Sequence, residues 1–423
     1  MKKLRILLLS EQNNPNWVSV PLVGFRHGEA LAKIHEVHLV THRQNQLDHL
    51  QGAKVFHEIT FIGLGWFDGL YAWIFRVLFK GDFGSQALTA VRLPFYLLFE
   101  YLAWRKLKLR VRQNQFDCVL RLTPVAPVLP SPWANWLKGS PVPFIIGPIN
   151  GGLPFPTGFK QAQRQREWVS GLRMMYRYLP FAQSTYKSAA AIICGSSQTC
   201  QEFSRYSEKV FFVPENGINL SMFEQKKAKN NFSDPLRLLF VGRLVPFKAC
   251  DLAIRGAAEI LRSRKAVLTI VGEGDERRAL ELLTQELGVA DCVNFTGELP
   301  HHEAMLHFSN ADILLFPSIR EFGGGVVYEA LASGTVPLVA DYGGPGDIVS
   351  AAVGFKIPMT EEASAVDYIR RVLAELDFDR LKLHKLSQAG QDFGRDALTW
   401  NGKAVHMTSI LNWTLGRGPK PKK

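Results

Sequence analysis

The second half of the chain alternates short, continuously apolar runs with amphipathic helical patterns. The first of these helical patterns is "DLAIRGAAEILRS" at 251–263. Strands that are apolar along their whole length and are separated by such helices are typical of a parallel sheet covered on both faces. We therefore expect a doubly wound α/β domain. Its predicted strands are "LRLLFVG" (236–242), "AVLTIVG" (266–272), "CVNFTG" (292–297), "DILLFP" (312–317) and "VPLVAD" (336–341).

The first half shows the same alternation less regularly. An aromatic and basic insertion covers residues 63–112, and a glycine- and proline-rich loop covers 151–160. The polar stretch 221–235 is typical of a linker. The predicted strands of this half are "RILLLS" (5–10), "EVHLVT" (36–41), "DCVLRLT" (117–123), "PFIIGP" (143–148), "AAAIICGS" (189–196) and "KVFFVPENG" (209–217).

A chain of 423 residues is long for one domain. We expect an N-terminal domain at 1–220, a second domain at 221–396, and a terminal helix at 397–416 that packs back on the first domain. Both domains would be Rossmann-like α/β domains that face a cleft. Ligands of such sheets bind at the carboxyl ends of the strands.

A glycine turn follows the fourth predicted strand of the second half. The chain passes Glu321 and turns through Gly323, Gly324 and Gly325 into a helix that contains Glu329. Such a turn offers unpaired backbone N–H groups and the positive end of a helix dipole to a phosphate. The two carboxylates would repel a phosphate, so we expect them to bind hydroxyl groups. A local cap or salt bridge is the alternative interpretation of Glu329.

Two cations follow the first predicted strand of the same half. Arg243 and Lys248 lie in the loop "GRLVPFK", and Arg and Lys side chains in such a loop suit a diphosphate. Because the carboxyl ends of parallel strands share one edge, we expect these cations to meet the glycine turn. The stretch "VADYGGPGDIV" (339–349) predicts a further glycine loop at this edge.

These motifs resemble the donor-binding domain of the family 4 glycosyltransferases, which are retaining enzymes of GT-B fold. The similar stretches are "VGRLVPFK", "IVGEGDE", "NFTGEL" and "ADILLFPSIREFGGGVVYEALASGTVPLVADYGG". In the first half, "HGEALAKIHEVHLVTHR" and "PENGIN" are similar to the N-terminal domain and the domain junction of that family. The resemblance implies a nucleotide-diphosphate sugar as co-substrate, a glycan or glycolipid acceptor, and no further cofactor.

The resemblance also implies roles for individual residues. Arg243 and Lys248 would hold the diphosphate and Glu321 would contact the donor sugar, which makes these three the expected catalytic residues. Glu329 would bind the ribose. No divalent metal is expected, because the cationic side chains take its place. The other expected donor-binding residues are Gly242, Gly272, Gly274, Leu299, Phe322, Gly323, Gly324 and Gly325.

The acceptor half departs from the family pattern. The first strand is followed by "SEQNNPNW" where the family usually has glycines. The region "IIGPINGGLPFP" has no histidine where many members carry one, and it is identified as a GPxxGG variant. We expect acceptor contacts from this loop and from His27, and we expect His301, His302 and His307 to be exposed or core histidines. The expected acceptor-side residues are His27, Gly147, Asn150, Gly151 and Gly152.

Two retaining mechanisms are open to such an enzyme. One passes through a covalent glycosyl-enzyme, and the other is front-side attack within an ion pair. No pattern in the sequence places a carboxylate for the covalent route. We therefore favour front-side attack, with Arg243, Lys248 and the helix dipole stabilising the departing diphosphate.

The net charge of +12 favours an anionic partner. A basic and aromatic stretch at 92–112 could lie on an anionic membrane surface, or it could be an ordinary packed helix with a solvated basic face. We expect no nucleic-acid partner. The apolar run at the N-terminus is too short for a signal peptide, so we expect a cytoplasmic protein, peripheral on the inner face of the membrane if the stretch binds lipid.

Other functions share this fold. A sugar-nucleotide epimerase or a catalytically silent nucleotide-sugar binder would carry many of the same residues. A phosphorylase would need a pyridoxal lysine, for which the sequence offers no motif. The five scattered cysteines show neither zinc-binding nor disulfide spacing.

Overall fold

The computed structural model describes residues 2–17, 19–70, 73, 85–151, 156, 158–159, 179–219 and 235–421, with the side chains of the third helix from residue 92 onward. The chain forms two compact units. The described residues up to 151, from 179 to 215 and from 400 onward form the first unit, and Phe159 and residues 216–399 belong to the second. The predicted linker, apart from Pro235, lies outside the described residues.

The strands of both units are numbered in the order in which they occur along the chain. They are β1 (Arg5–Ser10), β2 (Glu36–His42), β3 (Glu58–Ile62), β4 (Cys118–Thr123), β5 (Phe144–Ile149), β6 (Ala191–Cys194), β7 (Val210–Phe212), β8 (Leu236–Val241), β9 (Ala266–Val271), β10 (Val293–Gly297), β11 (Ile313–Phe316), β12 (Val336–Ala340) and β13 (Phe355–Ile357).

The described α-helices are numbered in the same way. They are α1 (Val20–Ala32), α2 (Gln46–Gln51), α3 (Ser85–Arg112), α4 (Trp133–Trp136), α5 (Ala182–Ser188), α6 (Ser197–Glu202), α7 (Cys250–Arg262), α8 (Arg277–Glu286), α9 (His301–Asn310), α10 (Gly325–Ser333), α11 (Gly343–Ile348), α12 (Glu362–Phe378), α13 (Arg380–Ala397) and α14 (Trp400–Thr414).

The first unit holds a seven-stranded parallel sheet in the order β3-β2-β1-β4-β5-β6-β7. Leu8 of β1 lies opposite Leu39 of β2 and Leu120 of β4. Every residue of β4, β5 and β6 is buried, because apolar clusters cover both faces of the sheet. The predicted strands are confirmed, but the sequence pattern missed β3 at the sheet edge.

The last helix, α14, packs on α1 within the first unit. Met407 and Leu411 are buried in the same apolar cluster as Leu31. His35 Nε2 lies 2.8 Å from Thr408 Oγ1, which adds a buried polar contact between the end of the chain and its beginning.

Helix α3 occupies most of the predicted insertion. Its buried face consists of Tyr96, Phe99, Ala103, Leu107 and Val111. Its outer face consists of Tyr101, Arg105, Lys106, Leu109 and Arg112, which are all exposed. The spacing of the buried residues is that of one helix face against a core. Within the described part of the chain, no helix is both long enough and apolar enough to cross a membrane.

The second unit holds a six-stranded parallel sheet in the order β10-β9-β8-β11-β12-β13. The five predicted strands are confirmed, and β13 was missed. Helix α7 packs closely on α12 because residue 256 is glycine; a Cβ there would lie 2.6 Å from Ile369 Cγ2. The strand order reverses between β8 and β11, which is where ligands bind in doubly wound sheets.

Candidate functional site

Two oppositely charged side chains meet where the strand order of the second sheet reverses. Lys248 ends the short 3-10 turn after β8, and its Nζ donates to Glu321 Oε2 in the segment after β11. The backbone ties the same two loops, because Ile319 N–H donates to Phe247 O at 3.0 Å. The side chains of the pair keep 15% and 19% of their surface exposed. The structure therefore brings these two predicted residues into direct contact.

The predicted glycine turn leads into α10, which begins at Gly325. Gly324 precedes the helix with φ 57° and ψ 40°, a left-handed conformation that favours glycine. Its N–H lies 3.3 Å from Glu321 Oε1. Glu321 thus joins Lys248 to the helix N-terminus, whose first amides have no partners within the helix.

The stretch 339–349 contains a short helix instead of the predicted loop. Helix α11 begins at Gly343, which has φ 61°. The N–H of Gly344 donates to Glu321 O at 3.1 Å, and a Cβ at Gly344 would lie 2.1 Å from Phe322 O. Close backbone packing therefore accounts for Gly344. Gly323 and Phe322 themselves are half-buried.

Arg243 follows Gly242 at the end of β8 and is exposed. Its Cζ lies 5.9 Å from the centre of the Phe247 ring. Among the residues that the structure describes, no carboxylate forms an ion pair with it. The guanidinium is therefore available for an anion, which it can bind through two parallel hydrogen bonds.

Gly272 and Gly274 allow the loop after β9 to pack on the loop after β8. A Cβ at Gly272 would lie 2.0 Å from Gly242 O, and one at Gly274 would lie 2.3 Å from Leu244 O. The N–H of Leu244 donates to Glu273 O at 2.8 Å. These two glycines are therefore needed for loop packing. Gly242 has more space, because a Cβ there would lie 3.8 Å from its nearest neighbour, a carbon of the Phe240 ring.

Glu329 lies in the second turn of α10 and pairs with His301, for which the sequence had indicated no partner. His301 Nε2 donates to Glu329 Oε1 at 2.8 Å. The carboxylate raises the pKa of His301 above its usual 6.5. Leu299, two residues earlier, is half-buried against the apolar cluster that contains Phe308. Only the fold could reveal this pair, because the two residues lie 28 positions apart.

The described residues contain no group of three or more His, Cys, Asp or Glu side chains that could hold a metal ion. The charges that do converge at the reversal of the second sheet are the ammonium group of Lys248 and the carboxylate of Glu321. Arg243 lies on the same loop as Lys248.

His27, which was expected on the acceptor side, makes its contacts inside the first unit. This residue is buried in α1 with 2% exposure. Its Nε2 donates to Glu215 O at 2.9 Å, and its ring packs edge-on against Trp400 with centroids 4.9 Å apart. Burial and the nearby Lys403 lower its pKa to about 3. His27 therefore stays neutral and holds α1 to the segments that contain Glu215 and Trp400.

Asn150 is the centre of a buried polar network in the first unit. Its Nδ2 donates to Glu215 Oε2 at 2.8 Å, and its Oδ1 accepts from Ser196 Oγ at 2.9 Å. Thr199 Oγ1 approaches the same oxygen at 3.3 Å. The residue is 5% exposed. The amide is therefore engaged within the protein, and it fixes the end of β5.

Steric constraints explain why glycine occupies the neighbouring positions that were expected on the acceptor side. A Cβ at Gly147 would lie 2.1 Å from Ile193 O, and one at Gly151 would lie 3.0 Å from Pro127 Cδ. Gly147 has φ 123°, which a residue with a side chain rarely adopts. Gly152 lies outside the described residues.

The second unit matches a known family. The sequence model described as "Glycosyl transferases group 1" matches residues 221–392. This range contains Arg243, the Lys248–Glu321 pair, the glycine turn and Glu329.

Two curated proteins are similar to part of the chain. An uncharacterized glycosyltransferase of Methanocaldococcus jannaschii is 33% identical over 209 residues, which cover 46% of this chain and 53% of that protein. A GDP-mannose-dependent alpha-(1-6)-phosphatidylinositol monomannoside mannosyltransferase of Mycolicibacterium smegmatis is 30% identical over 211 residues, which cover 48% and 53%. The chain thus spans about half the length of these curated relatives.

Solved structures match nearly the whole chain. Sucrose-phosphate synthase from Thermosynechococcus elongatus has a TM-score of 0.66 and 20% identity, covering 98% of this chain and 100% of that one. The HepE protein of Anabaena in complex with UDP and glucose has a TM-score of 0.59 and 15% identity, covering 97% and 99%. The expected GT-B fold is confirmed. Residues 221–392 of this chain therefore match the model of the glycosyl transferases group 1, and the chain as a whole has a GT-B fold.

Proposed function

We propose that this chain is a glycosyltransferase that moves a sugar from a nucleotide-diphosphate donor to a glycan or lipid-linked acceptor. The observation that carries the proposal is the meeting of Lys248, Glu321 and the glycine turn at the strand-order reversal of the second sheet. The family match supports the reaction class. The name of the mannosyltransferase relative and the UDP bound to HepE support a nucleotide-diphosphate sugar as donor.

In this proposal the second unit binds the donor. Arg243 and Lys248 hold the diphosphate together with the N-terminus of α10. Lys248 then exchanges part of its contact with Glu321 for a phosphate oxygen. The freed carboxylate oxygen of Glu321 accepts from a hydroxyl group of the donor sugar, while Glu329 accepts from the ribose.

The proposed reaction is a front-side displacement with retained configuration. The bond between the anomeric carbon and the diphosphate oxygen breaks, and the acceptor oxygen forms its bond to the same face of that carbon. The acceptor proton passes to the departing diphosphate oxygen. Arg243, Lys248 and the helix dipole stabilise the charge on that diphosphate, so that no divalent metal is needed.

We assign the chain to the family 4 variant with a GPxxGG loop. The acceptor would bind the first unit, which contains this loop. Since Asn150 is engaged by Glu215 and Ser196, its role is to fix the loop from inside. The half-buried Gly151 then presents backbone to the acceptor, in place of the histidine that many family members use.

The outer face of α3 supports a membrane-surface acceptor. It exposes Tyr101 and Leu109 beside three cations, a composition that suits an anionic lipid surface. Arg110 does not add to this charge, because both of its terminal nitrogens donate to Glu58, at 2.8 and 2.9 Å. We therefore propose peripheral binding to the inner face of the cytoplasmic membrane.

A transfer assay tests the proposed function. The purified chain is incubated with UDP-, GDP- and ADP-sugars and with lipid-linked or glycan acceptors, and products are identified by mass spectrometry and NMR. We expect transfer with retained configuration that persists in EDTA. A rearranged but untransferred sugar would indicate an epimerase, and binding without turnover would indicate a silent binder.

A further inference from the structure

The pair formed by His301 and Glu329 joins two helices of the second unit. His301 is the first residue of α9, and Glu329 lies in the second turn of α10. Their side chains are joined by one hydrogen bond of 2.8 Å. The side chain of His301 is 58% exposed and that of Glu329 is 23% exposed. The carboxylate is therefore partly sheltered and the imidazole faces solvent.

The backbone around this pair is well anchored. Helices α9 and α10 share one apolar cluster, in which Phe308, Val327 and Leu331 are fully buried. The distance between the two side chains is thus set by packed helices. A free glutamate side chain has several rotatable bonds, and a bond to His301 removes much of that freedom before a ligand arrives.

The hydrogen bond occupies one side of the carboxylate. His301 donates its hydrogen bond to Glu329 Oε1, and among the described residues no partner is seen for Glu329 Oε2. That oxygen can accept from hydroxyl groups of a ligand. The imidazole also offsets the negative charge of the carboxylate, since the carboxylate raises the His301 pKa and favours the imidazolium. Because the imidazolium offsets its negative charge, the Glu329 carboxylate can lie near an anionic ligand.

We propose that His301 is a positioning residue for ribose recognition: it holds the Glu329 carboxylate so that the free oxygen meets the vicinal hydroxyls of the donor nucleoside. This inference rests on the proposed function. His301 acts through Glu329. By fixing the Glu329 carboxylate, which accepts hydrogen bonds from the ribose hydroxyls, it favours binding of ribonucleotides over deoxyribonucleotides. The chain thereby selects a ribose-containing donor with a pair of residues from two helices.

The test is calorimetric titration with UDP, GDP and ADP and with their 2′-deoxy counterparts. The variants are His301→Ala, His301→Gln and Glu329→Ala, with His302→Ala as the matched control because its side chain is 80% exposed at the same helix end. Thermal unfolding confirms that each variant is folded.

We expect His301→Ala to weaken binding of the ribonucleotide about 3- to 10-fold and to leave binding of the deoxyribonucleotide unchanged. His301→Gln keeps an N–H donor and should restore most of the preference, and His302→Ala should have no effect. If Glu329→Ala abolishes the ribose preference but His301→Ala retains it, the positioning role is wrong while the proposed function stands. If the wild-type protein binds none of the nucleotides, both are wrong.

Discussion

The polar side chains that follow the strands of the two sheets differ in what they contact. In the second unit, Lys248 and Glu321 pair at the sheet edge with 15% and 19% of their side chains exposed, and Arg243 is exposed. In the first unit, Asn150 is 5% exposed and bonds to Glu215 and Ser196. One edge carries partly exposed charged side chains, and the other uses buried polar groups to hold its own loops together.

The comparison shows why a polar residue at a strand end is not by itself a functional residue. Buried polar groups must be paired inside the protein, and once paired they have little capacity left for a ligand. His27 illustrates this, because its Nε2 is engaged by Glu215 O within the core of the first unit. The charged side chains of the second unit differ from His27 in two ways: they are more exposed to solvent, and they lie where the strand order of their sheet reverses.

The largest effect is expected from removing the ammonium group of Lys248 in the second unit. Lys248→Met should lower kcat/KM by about 10²- to 10³-fold, since it removes a charge that we propose stabilises the departing diphosphate. The free energy of unfolding should also fall, by about 1–3 kcal/mol, because Glu321 loses its partner in a pair whose side chains are only 15% and 19% exposed. Steady-state kinetics and urea unfolding measure the two quantities.

Lys265→Met is the matched control for that change. Lys265 lies in the same unit, is 63% exposed and pairs with Asp377 at 3.3 Å. Its loss should leave kcat/KM unchanged. Equal effects of the two substitutions on activity would remove the distinction that the comparison draws.

In the first unit we expect a substitution at the strand end to lower stability and to leave nucleotide binding unchanged. Asn150→Leu removes the buried hydrogen bonds that the amide makes to Glu215 Oε2 and Ser196 Oγ, so the free energy of unfolding should fall by about 2–4 kcal/mol. Nucleotide binding should be unchanged. Urea unfolding and calorimetry check this, with exposed Asn294→Leu as the control. A stable Asn150→Leu variant that has lost activity would instead give Asn150 a direct catalytic role.

Much of the second unit could be predicted from the sequence, because its elements are governed by local patterns. Apolar runs place the strands, glycines place the start of α10, and the rule that parallel strands end at one edge brings Lys248 to Glu321. In the first unit, the short edge strand β3 escaped prediction because its five residues, Glu58–Ile62, carry no long apolar run. Helix α11 escaped because its glycines favour a loop when packing is not considered.

The contacts of the first unit could not be predicted in the same way. His27 meets Glu215 across 188 residues of sequence, and no local pattern records such a contact. The bond between His301 and Glu329 is of the same kind. Residue types and helix positions were visible in the sequence, but the pairing depends on how α9 packs on α10.

A pH-dependent contribution to stability is expected from the buried Glu100. Burial raises its pKa from 4.5 to about 7, and Ser131 Oγ donates to its Oε2 at 2.7 Å. Between these two values the folded chain holds a proton that the unfolded chain has released. Stability should therefore fall as the pH rises from 4.5 through 7.

Glu100→Gln removes this titration. Above pH 7 the variant should be more stable than the wild type by about 2–3 kcal/mol, and at pH 4.5 the two should differ little. Urea unfolding at a series of pH values measures the difference, and exposed Glu36→Gln is the control. Parallel stability curves for Glu100→Gln and the wild type would show that Glu100 is not the titrating group.

The smallest expected effects concern the outer face of α3. Each of Arg105→Gln, Lys106→Gln and Arg112→Gln should weaken binding to phosphatidylglycerol vesicles by about 1 kcal/mol, with no change in unfolding. Arg264→Gln, which removes a 74% exposed arginine from the second unit, is the control. Vesicle binding that is unchanged in all three variants would leave α3 as a packed helix with a solvated face.

The most direct test of the central claim is whether the second unit binds a nucleotide-diphosphate sugar through its cations. Calorimetric titration of the wild type with UDP, GDP, ADP and their common sugar conjugates should show micromolar binding of one nucleotide. Arg243→Met should weaken that binding about 10-fold or more, and Glu329→Ala should also weaken it. Absence of binding to every nucleotide, or equal binding by wild type and Arg243→Met, would contradict the account.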